Sequence, residues 1–254
     1  LELSGVGPAD VLRRAGVPVV RHLPGVGENF RDHYAARLRW RVRRPITFNE
    51  RSRGLALARE VVRYLRHRRG LLSLPIALGF GFVRSREEEP LPDLQFHFAP
   101  ASYGAGPSRR LDTLPGMTLG VYPLRPESKG SIHIRSNNPD DPPAIRPRFL
   151  EAEVDQIRLI AGIRIGRRIV EDPVFDEYRA FELVPGPDVR TDDELLAYVR
   201  AHGDTSYHPV GTCRMGDDPM AVVDHRLRVH QVHGVRVIDA SVMPTLVSGN
   251  TNAA

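Results

Sequence analysis

Polar and apolar residues alternate over positions 35–42, where Leu38, Trp40 and Val42 interleave with Arg37, Arg39 and Arg41. A period of two sends these sets to opposite faces, so the segment predicts a half-buried strand with one wet side. Further runs at 17–23, 94–99, 117–123, 130–135 and 235–238 read as strands, several of them bounded by Gly- and Pro-rich turns. At 151–170 the spacing becomes helical: Val154, Ile157, Leu159, Ile160, Ile163, Ile165 and Ile169 give a broad apolar face before Asp172-Pro173 stops the helix. Residues 8–15 form a shorter helix opened by Pro8 and closed by Gly16, and 55–65 carries apolar residues at helical spacing. A helix over 192–201 has Thr191 at the N-cap, Glu194 at the capping-box position and His202-Gly203 as its stop. The stretch 70–83 is too rich in Gly and Pro for a continuous helix. Strands joined by short turns, with helices between some of them, predict an antiparallel sheet in an α+β or α/β fold.

Composition narrows this picture. The 254 residues are 41% hydrophobic, enough for one large core or two ordinary ones. No apolar run approaches the roughly 20 residues that span a bilayer, so no transmembrane segment is expected. Cys213 is the single cysteine, which rules out an intrachain disulfide and favours a reducing, cytoplasmic setting, peripheral to a membrane at most. It reads as a small packing residue rather than a reactive thiol. The net charge of +5 raises nucleic acid as a partner, especially at Arg63-Tyr64-Leu65-Arg66-His67-Arg68-Arg69. Yet Lys129 is the only lysine, arginine is spread along the whole chain, and no aromatic-interleaved basic strand is present. The run reads as a solvated helix face, and nucleic acid is not expected. A dinucleotide fold needs a Gly-x-Gly-x-x-Gly turn at a helix N-terminus. Gly5-Val6-Gly7 and Gly79-Phe80-Gly81 do not continue into one, and the chain opens at Leu1, so a portion of a longer protein is expected.

Candidate chemistry is concentrated near the C-terminus. His208-Pro209-Val210-Gly211-Thr212-Cys213-Arg214-Met215-Gly216 is followed by Asp239-Ala240-Ser241-Val242-Met243-Pro244 and then Asn250-Thr251-Asn252. Histidine suits proton transfer because its ordinary pKa of about 6.5 leaves much of it neutral at neutral pH. Taken alone, His208 before a proline is a turn residue, Asn250 a loop cap, and Asp239 the cap of a helix starting at Ser241. His225, His230 and His233 fit no zinc spacing and read as surface-turn residues, so no metal is expected. Gln95 and His97 share one strand face.

Together these runs resemble the C-terminal signature of the glucose-methanol-choline (GMC) family of flavin-dependent oxidoreductases. The likeness extends to Leu3-Ser4-Gly5-Val6-Gly7-Pro8 and to Leu23-Pro24-Gly25-Val26-Gly27-Glu28-Asn29-Phe30-Arg31-Asp32-His33. It continues through Asp93-Leu94-Gln95-Phe96-His97-Phe98, Leu124-Arg125-Pro126-Glu127-Ser128-Lys129-Gly130-Ser131-Ile132 and Asn138-Pro139-Asp140-Asp141-Pro142-Pro143, in the order of the choline-dehydrogenase-like branch. The resemblance implies a GMC-type substrate domain at 35–204, an antiparallel sheet flanked by helices, with partial FAD-binding segments at 1–34 and 205–254. Residues 70–83 would then help form the wall and lid of the active site. It further implies FAD as cofactor and oxidation of a primary alcohol, choline or another small aliphatic or aromatic one, to the aldehyde. His208 would act as base while hydride passes to flavin N5, and Asn250 would hydrogen-bond the alcohol oxygen. Asp239 and Ala240 would meet the ribityl or pyrophosphate portion, Thr251 and Asn252 would pass beside the ring, and oxygen or a quinone-like acceptor would take the electrons. The contrasting expectation is a truncated chain that binds no flavin and has at most a structural or binding role.

Overall fold

The computed structural model describes residues 1–104 and 110–253. They form two compact units, one of residues 1–34, 124–156 and 205–254, the other of 35–123 and 157–204. Residues 124–156 thus pack with the two chain ends.

In the first unit, β1 (Val6–Gly7) pairs in parallel with β2 (Arg21–His22), and α1 (Ala9–Arg14) lies between them in sequence with Pro8 at its N-cap. Only two residues of the expected 17–23 strand are strand. A core of Val6, Leu23, Val26, Val222, Val223 and Val229 holds the chain ends together, and Leu12, Ala15 and Val17 form a smaller cluster. The 235–238 strand does not form. Arg236 makes one bridge to Arg228 around a turn at Gly234, whose φ is 77°, and Ile238 is exposed. One bridge is too little pairing to hold a β-branched run as a strand.

The second unit is built on an antiparallel sheet ordered β3 (Tyr34–Val42), β6 (Gly116–Pro123), β5 (Leu94–Ala99), β4 (Gly79–Val83). A further strand, β9 (Arg179–Val184), also pairs with β3; in the first unit β7 (Ser131–His133) pairs with β8 (Ala144–Arg146), and in the second the short α2 (Phe48–Arg51) precedes α3 (Gly54–His67). Leu38 faces Leu119 and Trp40 faces Met117 across β3 and β6, so the buried half of the sequence alternation becomes a row of core contacts. The long helix, α4 (Glu153–Glu171), approaches this sheet through glycine. A Cβ on Gly162 would sit 2.7 Å from Val121 Cγ2, and one on Gly166 would sit 3.2 Å from Leu119 and Phe96. The inward stripe is therefore Leu159, Gly162, Ile163, Gly166 and Val170, while Ile157 and Ile169 of the expected face are exposed. α5 (Asp192–His202) starts with the expected capping box: Thr191 Oγ1 accepts from Glu194 N–H at 3.3 Å, and Glu194 Oε2 accepts from Thr191 N–H at 2.9 Å.

Candidate functional site

The His208 run is placed by a short antiparallel contact with residues 30–33. Arg31 N–H donates to Val210 O at 3.1 Å, Val210 N–H returns the bond to Arg31 O at 2.9 Å, and Ser206 N–H reaches His33 O at 2.8 Å. Asn29 joins this run to the next: its Nδ2 donates to Gly211 O at 3.3 Å and to Pro244 O at 3.2 Å. Backbone bonds from Cys213 N–H to Ser241 O (2.9 Å) and Met215 N–H to Val242 O (2.8 Å) complete the junction. The approach at Gly211 requires glycine, since its φ is 94° and a Cβ there would lie 2.3 Å from Asn29 O.

Two buried polar residues then orient His208. Asp32 Oδ1 accepts from His208 N–H at 2.9 Å, and its Oδ2 accepts from the Thr205 hydroxyl. His33 is fully buried, with Nε2 3.0 Å from Leu124 O and Nδ1 3.0 Å from His208 Nδ1, and the two rings cross edge to face at 87°. A carbonyl can only accept, so His33 Nε2 carries a hydrogen. With both rings neutral the assignment is then unique: His33 Nδ1 is bare, His208 Nδ1 donates to it, and His208 Nε2 holds a lone pair. No described residue hydrogen-bonds that Nε2.

Burial acts on the two ionisable groups in opposite directions, as it disfavours either charge. It pushes the His208 pKa below its usual value, with the Asp32 carboxylate working weakly against it. Burial raises Asp32, opposed by hydrogen bonds from Thr205, His208 and His33. The neutral His208 imidazole is thereby favoured near neutral pH.

Asp239 is the N-cap of a 3-10 turn over Ala240–Val242, its Oδ1 accepting from Ser241 N–H at 2.8 Å. Ala240, Asn250 and Thr251 are half-buried and Asn252 is exposed, the last two at the start of a 3-10 turn over Thr251–Ala253. Arg125 ties the segment just before them to the 124–128 loop by donating to Ser248 Oγ at 2.8 Å. Cys213 is half-buried, and burial pushes its thiol pKa up, which disfavours the thiolate. His230 donates from Nε2 to Gly216 O at 2.9 Å, and among the described residues no three His, Cys, Asp or Glu side chains converge on a point. Gln95 and His97 do meet, at 2.8 Å, with Tyr122 Oη 3.1 Å from His97 Nε2. The sequence alone assigns no role to Asn29, Asp32 and His33, and the one signal for them is their place in the run that ends at His33.

The sequence signature of a family described as GMC oxidoreductase matches residues 126–254. The chain is 44% identical over 257 residues to an alcohol dehydrogenase [acceptor] of Pseudomonas putida, covering all of this chain and 46% of the relative. It is 39% identical over 253 residues to an oxygen-dependent choline dehydrogenase of Cronobacter sakazakii, again covering all of this chain and 45% of that protein. Among solved structures it is similar to an FAD-dependent oxidoreductase from Chaetomium thermophilum, with a TM-score of 0.84 and 25% identity over 100% of this chain and 50% of that one. The chain spans about half the length of the curated relatives it matches.

Proposed function

Because this chain belongs to the GMC oxidoreductase family, we propose that it supplies the proton-transfer and alcohol-binding part of an FAD-dependent enzyme that oxidises a primary alcohol to the aldehyde. The observation that supports this reading is the Nδ1-to-Nδ1 contact of His33 and His208, which leaves a lone pair on His208 Nε2. The named relatives, an alcohol dehydrogenase and a choline dehydrogenase, support an alcohol as substrate. Choline is one candidate among small aliphatic and aromatic alcohols, and oxygen or a quinone-like acceptor would take the electrons.

The donor set suits a flavin. Its ring presents both carbonyls and N–H groups, and the amides of Asn250 and Asn252 and the hydroxyl of Thr251 can each donate and accept. Asp239 uses Oδ1 for its cap, while no described residue engages its Oδ2, which would accept from a sugar-type hydroxyl. These residues, with Ala240, would hold the group, and FAD when bound supplies the two-electron acceptor that a C–H bond requires.

The chain's own part is proton handling. The alcohol hydroxyl proton passes to His208 Nε2 as the C–H bond gives up its hydride, and the Nδ1–H···Nδ1 bond to His33 holds the ring through that change. The resulting imidazolium needs no rearrangement, because Nδ1–H already points at an acceptor. Asp32 lies against the same residue and offsets part of the new charge. Asn250 would donate from its amide to the alcohol oxygen, stabilising negative charge as the proton leaves.

The test is to incubate the protein with FAD, remove free cofactor, record its visible spectrum, and follow anaerobic bleaching by a panel of primary alcohols. Retained flavin bleached by an alcohol in the wild type, but not in His208→Ala, is the expected result. Retained flavin that bleaches equally well in His208→Ala would overturn the base assignment. No retained flavin would favour a structural or binding role for the chain.

A further inference from the structure

Helix α3 (Gly54–His67) is amphipathic, yet its apolar side faces outward. Leu55 is 82% exposed, Leu65 64% and Val62 54%, and Ala58 and Val61 are exposed as well. At 100° per residue these five positions fill one arc of about 120°. The only buried side chain of the helix is a carboxylate: Glu60 accepts from Leu71 N–H at 2.8 Å and pairs with Arg51. A surface helix ordinarily buries its apolar stripe and leaves its charges wet. Here the inward side carries the buried Glu60 beside half-buried Ala56, Leu57 and Tyr64, and the apolar arc has no cover among the described residues.

The charges beside that arc are of one sign. Arg59, Arg63 and Arg66 follow it around the helix, Arg68 and Arg69 follow at its end, and Glu60 is the only acidic residue between 51 and 83. Exposed Leu72, Leu74, Ile76 and Leu78 then continue the apolar surface along the chain. An apolar arc bordered by arginine is the pattern of a helix that lies in a bilayer interface, with its side chains at the acyl boundary and its cations among the phosphates. A second copy docked through the same arc would bring two arginine rows face to face, which like-charge repulsion opposes. Nucleic acid would satisfy the arginines but leave the aliphatic arc without a partner. No helix among the described residues is long and apolar enough to cross a membrane.

We propose that the exposed face of α3 docks on an anionic phospholipid surface, with Leu55, Val62 and Leu65 inserted at the boundary and Arg59, Arg63 and Arg66 on the phosphates. The contact is peripheral, and it places the unit that carries the sheet directly on the bilayer.

The test is cosedimentation of the 254-residue chain with vesicles of phosphatidylcholine alone and of phosphatidylcholine mixed with phosphatidylglycerol, at about 0.1 M and about 0.5 M NaCl. Expected is binding to the anionic vesicles only, weakened about tenfold or more by the higher salt. Both L55S/V62S/L65S and R59Q/R63Q/R66Q should lower partitioning by about tenfold or more with unchanged circular dichroism, since the substituted side chains are exposed. Hydrogen–deuterium exchange on the wild type gives a readout without variants: anionic vesicles should protect residues 54–67. Failure to sediment with anionic vesicles overturns the proposal, as does sedimentation that L55S/V62S/L65S leaves unchanged. Self-association abolished by the same triple variant, without vesicle binding, would assign the arc to a second copy. Protection of 54–67 in a longer polypeptide without vesicles would assign it to another segment of the chain.

Discussion

Replacing His33 by alanine removes the acceptor of His208 Nδ1–H and the donor to Leu124 O in one step. Each group left unpaired in a buried site costs about 1–3 kcal/mol, and water entering the new cavity recovers part of that, so a net loss of about 2–4 kcal/mol is expected. The proposed proton transfer suffers by a different route. Without His33 the neutral His208 ring divides between its two tautomers, which by itself costs less than about tenfold. Loss of the fixed ring orientation costs more, on the order of a hundredfold, so kcat/KM should fall by about 10²- to 10³-fold. The pH profile separates this from a general loss of structure. Burial is what holds the His208 pKa down, so a hydrated cavity lets it rise toward 6.5 and moves the acid limb of kcat/KM to higher pH. His33→Gln, whose Oε1 can accept from Nδ1–H, should restore part of the rate.

Two measurements decide the matter. Nitrogen-15 NMR of the imidazoles should report Nδ1–H on His208 and Nε2–H on His33 in the wild-type protein, independently of any activity. Kinetics between about pH 5 and 9 should show the displaced acid limb in folded His33→Ala. An Nε2–H tautomer on His208 in the wild type would refute the reasoning outright. An unchanged profile in His33→Ala would refute its catalytic half.

Two further outcomes follow from neighbouring contacts. Gly211→Ala combines a φ of 94° with a Cβ placed 2.3 Å from a backbone oxygen, so thermal unfolding should show a loss of roughly 3 kcal/mol or more, and a loss under about 1 kcal/mol would mean the junction is looser than described. His133 lies between Glu2 (2.7 Å) and Glu28 (3.0 Å), and these hydrogen bonds, Glu2 first, hold its pKa above the ordinary 6.5 despite burial. The stability it contributes is therefore fully present below 6.5 and is lost as pH rises through the raised value, so Tm should decline over that window and the decline should flatten in His133→Gln.

What the sequence disclosed was local. The capping box at Thr191 and Glu194 needs three residues of context, and the alternation in β3 needs eight, so both were legible. β4 and β9 were not, because Gly79-Phe80-Gly81-Phe82-Val83 and Arg179-Ala180-Phe181-Glu182-Leu183-Val184 become strands by pairing with β5 and β3. The spacing in α4 announced a helix but not its inner stripe, since the close sheet selects Gly162 and Gly166 over Ile157 and Ile169. α3 shows the same limit more sharply: its periodicity is plain, yet only the buried Glu60 reveals which side faces the protein. At the site, motif likeness pointed to His208, but its ring partner His33 stands 175 positions away, beyond the reach of any spacing argument.

In the proposed function the two nitrogens of His208 do separable work, and one substitution distinguishes them. Nδ1 belongs to the fold, since it donates into the buried His33 contact, whereas Nε2 meets no described hydrogen-bonding partner and is available to a substrate. An asparagine at this position places its amide nitrogen near the locus of Nδ1 and nothing at that of Nε2. His208→Asn should therefore keep the donor to His33 and the backbone bond to Asp32, with a stability change of about 1 kcal/mol or less. It should nevertheless lose alcohol-dependent flavin reduction by about 10²- to 10⁴-fold, the range that a positioned general base provides. His33→Ala loses both properties, and His208→Asn should lose only one. If His208→Asn folds with wild-type stability and reduces flavin at the wild-type rate, Nε2 is not the base, and the buried pair exists to hold residues 205–211 against 29–33. If it unfolds as readily as His33→Ala, the ring has packing duties that the Nδ1 contact does not capture, and the division of labour between the two nitrogens fails.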